Sequence, residues 1–186
     1  MNAEEKAIEV ERRLRRMEDR QEIHDALMRY CRGVDRGDPE LILSAFHEDA
    51  TDNHFGIPLP PREAIGSLRN PPSGPMQCHN ICNEFVDIQG GFATSESYFI
   101  MISRMQYGGG EIDWVLNGRY VDRFERRVGS WRIARRTVIY DLERLDPVDA
   151  EPEGLGVAKY LAEAVRGMRG RGDWSYTEFR EFDSQM

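Results

Sequence analysis

Residues 23–46 read IHDALMRYCRGVDRGDPELILSAF, and their pattern decides the fold. Ile23, Ala26, Leu27, Tyr30, Cys31 and Val34 recur at helical spacing, so one stripe of a helix is apolar and needs a layer to pack on. Arg36-Gly37-Asp38-Pro39 breaks that helix. Asp38 is placed to cap the next one, and Pro39 suits its first position, where an N–H is dispensable. The second helix turns Leu41, Ile42, Ala45 and Phe46 inward and is expected to end near His47.

Upstream, Asn2 with Glu5 has the form of a capping box, and Asp19 with Glu22 forms a second one that starts a fresh or continued helix. Downstream, Ala50 to Phe55 reads as a short strand. Pro60-Pro61 closes a loop, Arg62 to Leu68 can make one or two helical turns, and residues 70–75 (NPPSGP) form a rigid loop. From Gln77 the period becomes that of strands. Gln77 to Ile88 and Phe92 to Met105 are joined across Gln89-Gly90-Gly91; Trp114 to Arg127 and Trp131 to Leu142 are joined across Val128-Gly129-Ser130. Gly108-Gly109-Gly110 is expected to be a flexible connection. Helices followed by antiparallel strands define an α+β class whose curved sheet wraps the N-terminal helices. Residues 1–145 make this domain. Residues 146–186 form a C-terminal extension: an acidic linker, a possible helix over Leu155 to Met168, and a partly ordered tail.

The chain has 186 residues, 40% hydrophobic and 31% charged, enough for one domain with a core of its own. A net charge of −8 argues against a nucleic-acid partner and against a polybasic membrane contact. No apolar run reaches membrane-span length, and the first residues are too polar for a signal peptide. Three cysteines, Cys31, Cys78 and Cys82, suggest no disulfide framework, so a cytoplasmic setting is expected.

Several side chains could carry chemistry. Asp35 lies at the margin of the apolar stripe, where a carboxylate either leaves the helix for solvent or enters a pocket beneath it. His79 opens a strand, as a structural residue or a catalytic one. Cys78 and Cys82 have a zinc-like spacing with His79, yet strand alternation turns them to the other face, so no metal site is expected. Arg136 sits on the largely apolar face of the last strand, which calls for a carboxylate, an anionic ligand or a subunit contact. Tyr30 is either packing or a phenol seeking a partner. Asp52 and His54 belong to a segment too polar for a core strand and suit a cavity lining. No phosphate loop, dinucleotide fingerprint or nucleophile elbow is present, so no cofactor is expected.

Three blocks, YCRGVDRGDPELILSAFHEDATDNHFG (30–56), CHNICNEFVDIQGGFATSESYFI (78–100) and GRYVDRFERRVGSWRIARRTVIYD (118–141), resemble the SnoaL-like family of the nuclear-transport-factor-like fold over about residues 18 to 143. The resemblance implies a cone-shaped α+β barrel and a cofactor-independent lyase or isomerase, dehydratase-like, in which Asp35 and His79 are the acid/base pair. Tyr30 and Arg136 would polarise the oxygen that gains charge. Phe46, Phe55, Tyr98 and Met101, with Asp52 and His54, would line the site around a hydrophobic, ring-containing substrate. The acid that bile-acid dehydratases of this family carry in the middle strand is missing from Tyr98-Phe99-Ile100-Met101-Ile102, so the substrate does not transfer. Other readings stay open: a polyketide-type cyclase or hydratase with the same pair, a non-catalytic subunit similar to those of ring-hydroxylating dioxygenases, or a ligand-binding protein. The family also implies a homotrimer or homodimer.

Overall fold

A computed structural model describes residues 2–67, 74–148 and 164–176. Helix α1 runs unbroken over Ala3–Arg36, opened by the Asn2/Glu5 capping box and closed by Gly37 in the left-handed conformation, whose N–H returns to the carbonyls of Gly33 and Val34. All six stripe residues from Ile23 to Val34 are buried. Asp19 and Glu22, expected as a cap, hold the sheet instead. Asp19 accepts from Trp131 Nε1 and from Arg126, each at 2.8 Å, and Glu22 accepts the N–H of Trp131. A carboxylate inside a continuous helix has no free N–H groups to cap, so it serves as an acceptor for a neighbouring element.

Helix α2 (Pro39–Ser44) starts on Asp38, which accepts from the N–H of Leu41 at 3.1 Å. The turn between α1 and α2 is tight because Gly33 lies against Ile42, where a β-carbon would meet the Ile42 backbone nitrogen at 2.8 Å. Strand β1 spans Phe46–Asn53, earlier than the sequence suggests, and α3 spans Pro61–Ser67. Strands β2 (Met76–Gln89), β3 (Phe92–Tyr107), β4 (Gly110–Arg127) and β5 (Ser130–Pro147) form an antiparallel meander. The sheet order is β1-β5-β4-β3-β2, with β1 parallel to β5.

Gly108-Gly109 is not a flexible connection. It is a two-residue turn in which Tyr107 pairs with Gly110, and both glycines take positive φ, 61° and 89°. The strands therefore run longer than hydrophobic alternation alone predicts.

Register irregularities set which residues face the helix. On β3 the odd-numbered residues from Ala93 to Ser103 point inward. On β2 a shift between Ile81 and Glu84 moves the inward set from Gln77, His79 and Ile81 to Glu84, Val86 and Ile88. On β5 a shift beside Ala134 moves it from Trp131 and Ile133 to Arg136 and Val138, so Ala134 does not share the Arg136 face as alternation suggests. The core gathers between α1, α2 and this concave face.

Of the extension, residues 164–176 pack on the C-terminal end of α1. Arg169 donates to the carbonyls of Val34 (3.0 Å) and Asp35 (3.2 Å), Gly170 N–H donates to that of Arg36, and the Tyr176 hydroxyl donates to Asp38 at 2.9 Å. The bonds from Arg169 and Gly170 satisfy carbonyls that a helix end leaves open, and the one from Tyr176 ends on the Asp38 carboxylate that caps α2. Residues 164–168 are not helical, and 155–163 lie outside the described residues.

Candidate active site

Asp35 occupies the last turn of α1, and His79 is an inward residue of β2. His79 Nδ1 donates to Asp35 Oδ1 at 2.6 Å, while the His79 backbone N–H donates to Asp35 Oδ2 at 3.0 Å. Both side chains are largely buried, 8% and 14% exposed. One carboxylate thus fixes the ring and the backbone of the same residue. A proton held on Nδ1 leaves Nε2 as the nitrogen free to accept another.

His79 lines a cavity of about 190 Å³ between α1 and the sheet. Tyr30 and Val34 contribute from α1, and His54 and Phe55 from the segment after β1. The sheet contributes Gln77, Phe99, Met101, Trp114, Leu116, Tyr120, Val138 and Tyr140. Apart from Gln77 and the rings' polar tips, the wall is hydrocarbon. Such a site selects an apolar ligand and strengthens any charge interaction inside it.

Behind the wall lie two further carboxylates. Arg136, fully buried, is held by Asp122 through two bonds of 2.8 and 2.6 Å. Its guanidinium carbon lies 4.1 Å from the ring centroids of both Tyr30 and Tyr120. Burial works against its charge, but the Asp122 carboxylate overrides it, and the guanidinium is held well above its usual range. Burial pushes Asp122 up against the pull of Arg136. The partners point opposite ways, and the bidentate geometry favours the ionised pair. Asp52 is also buried; its Oδ1 lies 2.7 Å from His54 Nδ1. His54 Nε2 and the Tyr30 hydroxyl share a hydrogen at 3.0 Å. Burial pushes the Tyr30 phenol well above its usual range, so it stays protonated and can donate.

The structure therefore brings together Asp35, His79, Tyr30, Asp52, His54, Phe55 and Met101 at or directly behind one cavity. It places three expected residues elsewhere. Arg136 does not reach the cavity, because Asp122 and two aromatic faces enclose it. Phe46 packs edge-on to Tyr30 in the core, at 5.8 Å between centroids. Tyr98 is even-numbered on β3 and points outward, with Arg119 over its ring. Cys78 and Cys82 are exposed, on the face opposite His79. Sequence reasoning missed Phe99, Leu116, Trp114, Tyr120 and Tyr140. The first two were within reach: His79 pairs with Met101, and Met101 with Leu116, so one register assignment gives the whole floor.

A curved five-stranded sheet folded over a long helix, with a carboxylate–imidazole pair in its hollow, defines an α+β cone protein. A SnoaL-like domain model matches residues 15–137, and the chain belongs to that family. Among solved structures the chain is similar to a hexachlorocyclohexane dehydrochlorinase (LinA, type 2), at 19% identity and TM-score 0.63, covering 76% of this chain and 99% of that one. A provisional scytalone dehydratase from Novosphingobium aromaticivorans aligns at 22% identity and TM-score 0.61, covering 78% and 97%. A protein of nuclear-transport-factor-like type with a cystatin-like fold, from the same organism, aligns at 24% identity and TM-score 0.54, covering 83% and 96%. No curated protein matches the chain. No helix among the described residues is long and apolar enough to cross a membrane.

Proposed function

We propose that this protein is a cofactor-independent lyase or isomerase that moves a proton on a mainly apolar, ring-containing small molecule. The observation that carries the reading is the 2.6 Å Asp35–His79 pair, with its imidazole on the wall of an apolar cavity. His79 Nε2 removes a proton beside a leaving group or a carbonyl. Asp35 keeps the ring in the tautomer that can do so and stabilises the positive charge that forms. Positioned proton transfer of this kind contributes about 10²–10⁴-fold. Tyr30, not Arg136, is the group that polarises an oxygen gaining charge, because the phenol is at the cavity and the guanidinium is not. The dehydratase and dehydrochlorinase among the similar structures support elimination as the reaction class.

The test is turnover of a panel of ring-bearing hydroxy ketones and halogenated rings by the wild type and by His79→Ala. The expected result is elimination on at least one member, reduced by about 10²-fold or more in the variant. Equal turnover by both proteins overturns the assignment.

A further inference from the structure

Helix α1 carries two apolar stripes, and the domain uses one of them. From Ile23 to Val34 the stripe packs on the sheet. Upstream, the same side of the helix holds Glu5, Glu9, Arg12 and Arg16, so the core-facing stripe does not continue. Ala3, Ala7, Val10, Leu14 and Met17 form a second stripe instead, roughly 150° around the helix at about 100° per residue. It turns away from the sheet. Every residue from Ala3 to Glu18 is exposed except Glu9, which is bonded to Arg12 of the same helix. Val10, Leu14 and Met17 are 63%, 53% and 68% exposed. A helix of about 15 residues without tertiary support is marginal in water. This one nevertheless opens on a complete capping box, and its apolar side has no partner among the described residues.

The spacing of the second stripe indicates what covers it. Its members are separated alternately by four and three residues, the repeat of a coiled-coil seam. The positions beside such a seam set the partner and its direction. Here one flank is acidic throughout, with Glu4, Glu11 and Glu18, and the other is basic throughout, with Lys6, Arg13 and Arg20. All six are exposed. In a parallel pair in register, the basic flank of each helix meets the acidic flank of the other. Lys6 then faces Glu11 of the partner subunit, and Arg13 faces Glu18 of the partner subunit. An antiparallel pair would set acid against acid and base against base.

We propose that residues 3–20 pair in parallel with the same segment of a second copy of this chain, as a short coiled coil. The core stripe of each copy lies on the outer side of the pair, so both sheets hang clear of it. The cavity holds no residue of this segment and stays out of the contact. The seam ends near Gln21 and His24, where the repeat turns polar and His24 bonds instead to Glu84 on β2 at 2.9 Å. A seam this short, with two alanines in it, gives a reversible association that depends on concentration. The contact is independent of the chemistry at His79 and of the outer face of the sheet.

The test is disulfide capture in the full chain, with Cys78→Ser and Cys82→Ser so that only the buried Cys31 remains. One new cysteine is placed at Leu14, in the seam, or at Arg12, on the far side of the same helix. Only the seam brings equivalent β-carbons of two copies together. Leu14→Cys is therefore expected to form a linked dimer about tenfold faster than Arg12→Cys, or more. Both positions are exposed and outside the core, so neither change threatens folding. Lys6→Glu with Arg13→Glu sets acid against acid and should slow capture of Leu14→Cys about tenfold. Adding Glu11→Lys and Glu18→Lys should restore it. Equal rates for Leu14→Cys and Arg12→Cys overturn the contact, and so does capture that the charge reversal leaves unchanged. A chain that dimerises in sedimentation while Leu14→Cys stays unlinked associates through another face, which also overturns it.

Discussion

Asp35 Oδ1 accepts from the ring of His79 while Asp35 Oδ2 accepts from the backbone of the same residue, at 2.6 and 3.0 Å. The end of α1 is thereby tied to the opening of β2, forty-four residues away in the chain. A carboxylate at the C-terminal end of a helix faces the negative end of the helix dipole, which is unfavourable. Two donors from His79, with Arg169 on the adjoining carbonyls, offset that cost.

Arg136 holds the centre of the core together and does not touch the ligand. Replacing it with Met leaves Asp122 buried and without its partner, which costs about 3–5 kcal/mol. Urea unfolding should show that loss. A variant of wild-type stability that fails only in turnover would instead return Arg136 to the chemistry.

Gly118 allows β4 to pass close to Phe99. A β-carbon there would lie 2.8 Å from Phe99 Cζ and 2.3 Å from the Ile139 carbonyl oxygen. Phe99 stacks on Tyr120 at 4.5 Å between centroids, and both rings form the cavity floor. Gly118→Ala should therefore destabilise by about 1–3 kcal/mol. It should also weaken binding of an apolar dye to the cavity; unchanged stability and binding would mean that the backbones have room to spare.

Burial pushes the Cys31 thiol up to about 12, whereas Cys78 and Cys82 are exposed. The thiolate is the reacting form. Iodoacetamide at neutral pH should label two cysteines in the native protein and three after unfolding. A third label on native protein would show that the end of α1 opens.

Asp173 ties the extension together by accepting the N–H groups of Met168 (2.9 Å) and Ser175 (3.1 Å), and it sits beside Arg36. These bonds lower its carboxyl from 3.8 to about 2. A depressed folded value means that the stabilisation is complete above about 4 and is lost as pH falls toward 2. Amide exchange at Met168 and Ser175 should accelerate through that window, and Asp173→Asn should show fast exchange at neutral pH. Exchange unaffected by either change would show that other contacts hold residues 164–176.

The helices were legible because their signals are local: the stripe from Ile23 to Val34, the Asn2 and Asp38 caps, and the break at Gly37. The strands were legible in order but not in extent, since Gly108-Gly109 closes a turn only because both flanking strands continue to it. What the sequence hides is inward parity where register shifts intervene. The shift beside Ala134 moves Arg136 into the core, facing Asp122 across β4 and β5, and no spacing rule links those two residues. Tyr98 failed for a simpler reason: its neighbours Phe99 and Met101 already fix the inward face of β3. Asp35 and His79 were candidates from their places at the stripe margin and the strand opening, but only the resemblance paired them, and their contact depends on how α1 crosses the opening of β2, which is a tertiary fact.

The central claim is that Asp35 holds the proton of His79 on Nδ1 and leaves Nε2 bare. Long-range proton–nitrogen NMR on protein labelled with nitrogen-15 in histidine reads this directly at neutral pH. His79 is expected to show a protonated Nδ1 and an unprotonated Nε2, and Asp35→Asn to abolish this preference. A proton on Nε2 in the wild type, or a His79 spectrum unchanged by Asp35→Asn, would contradict it.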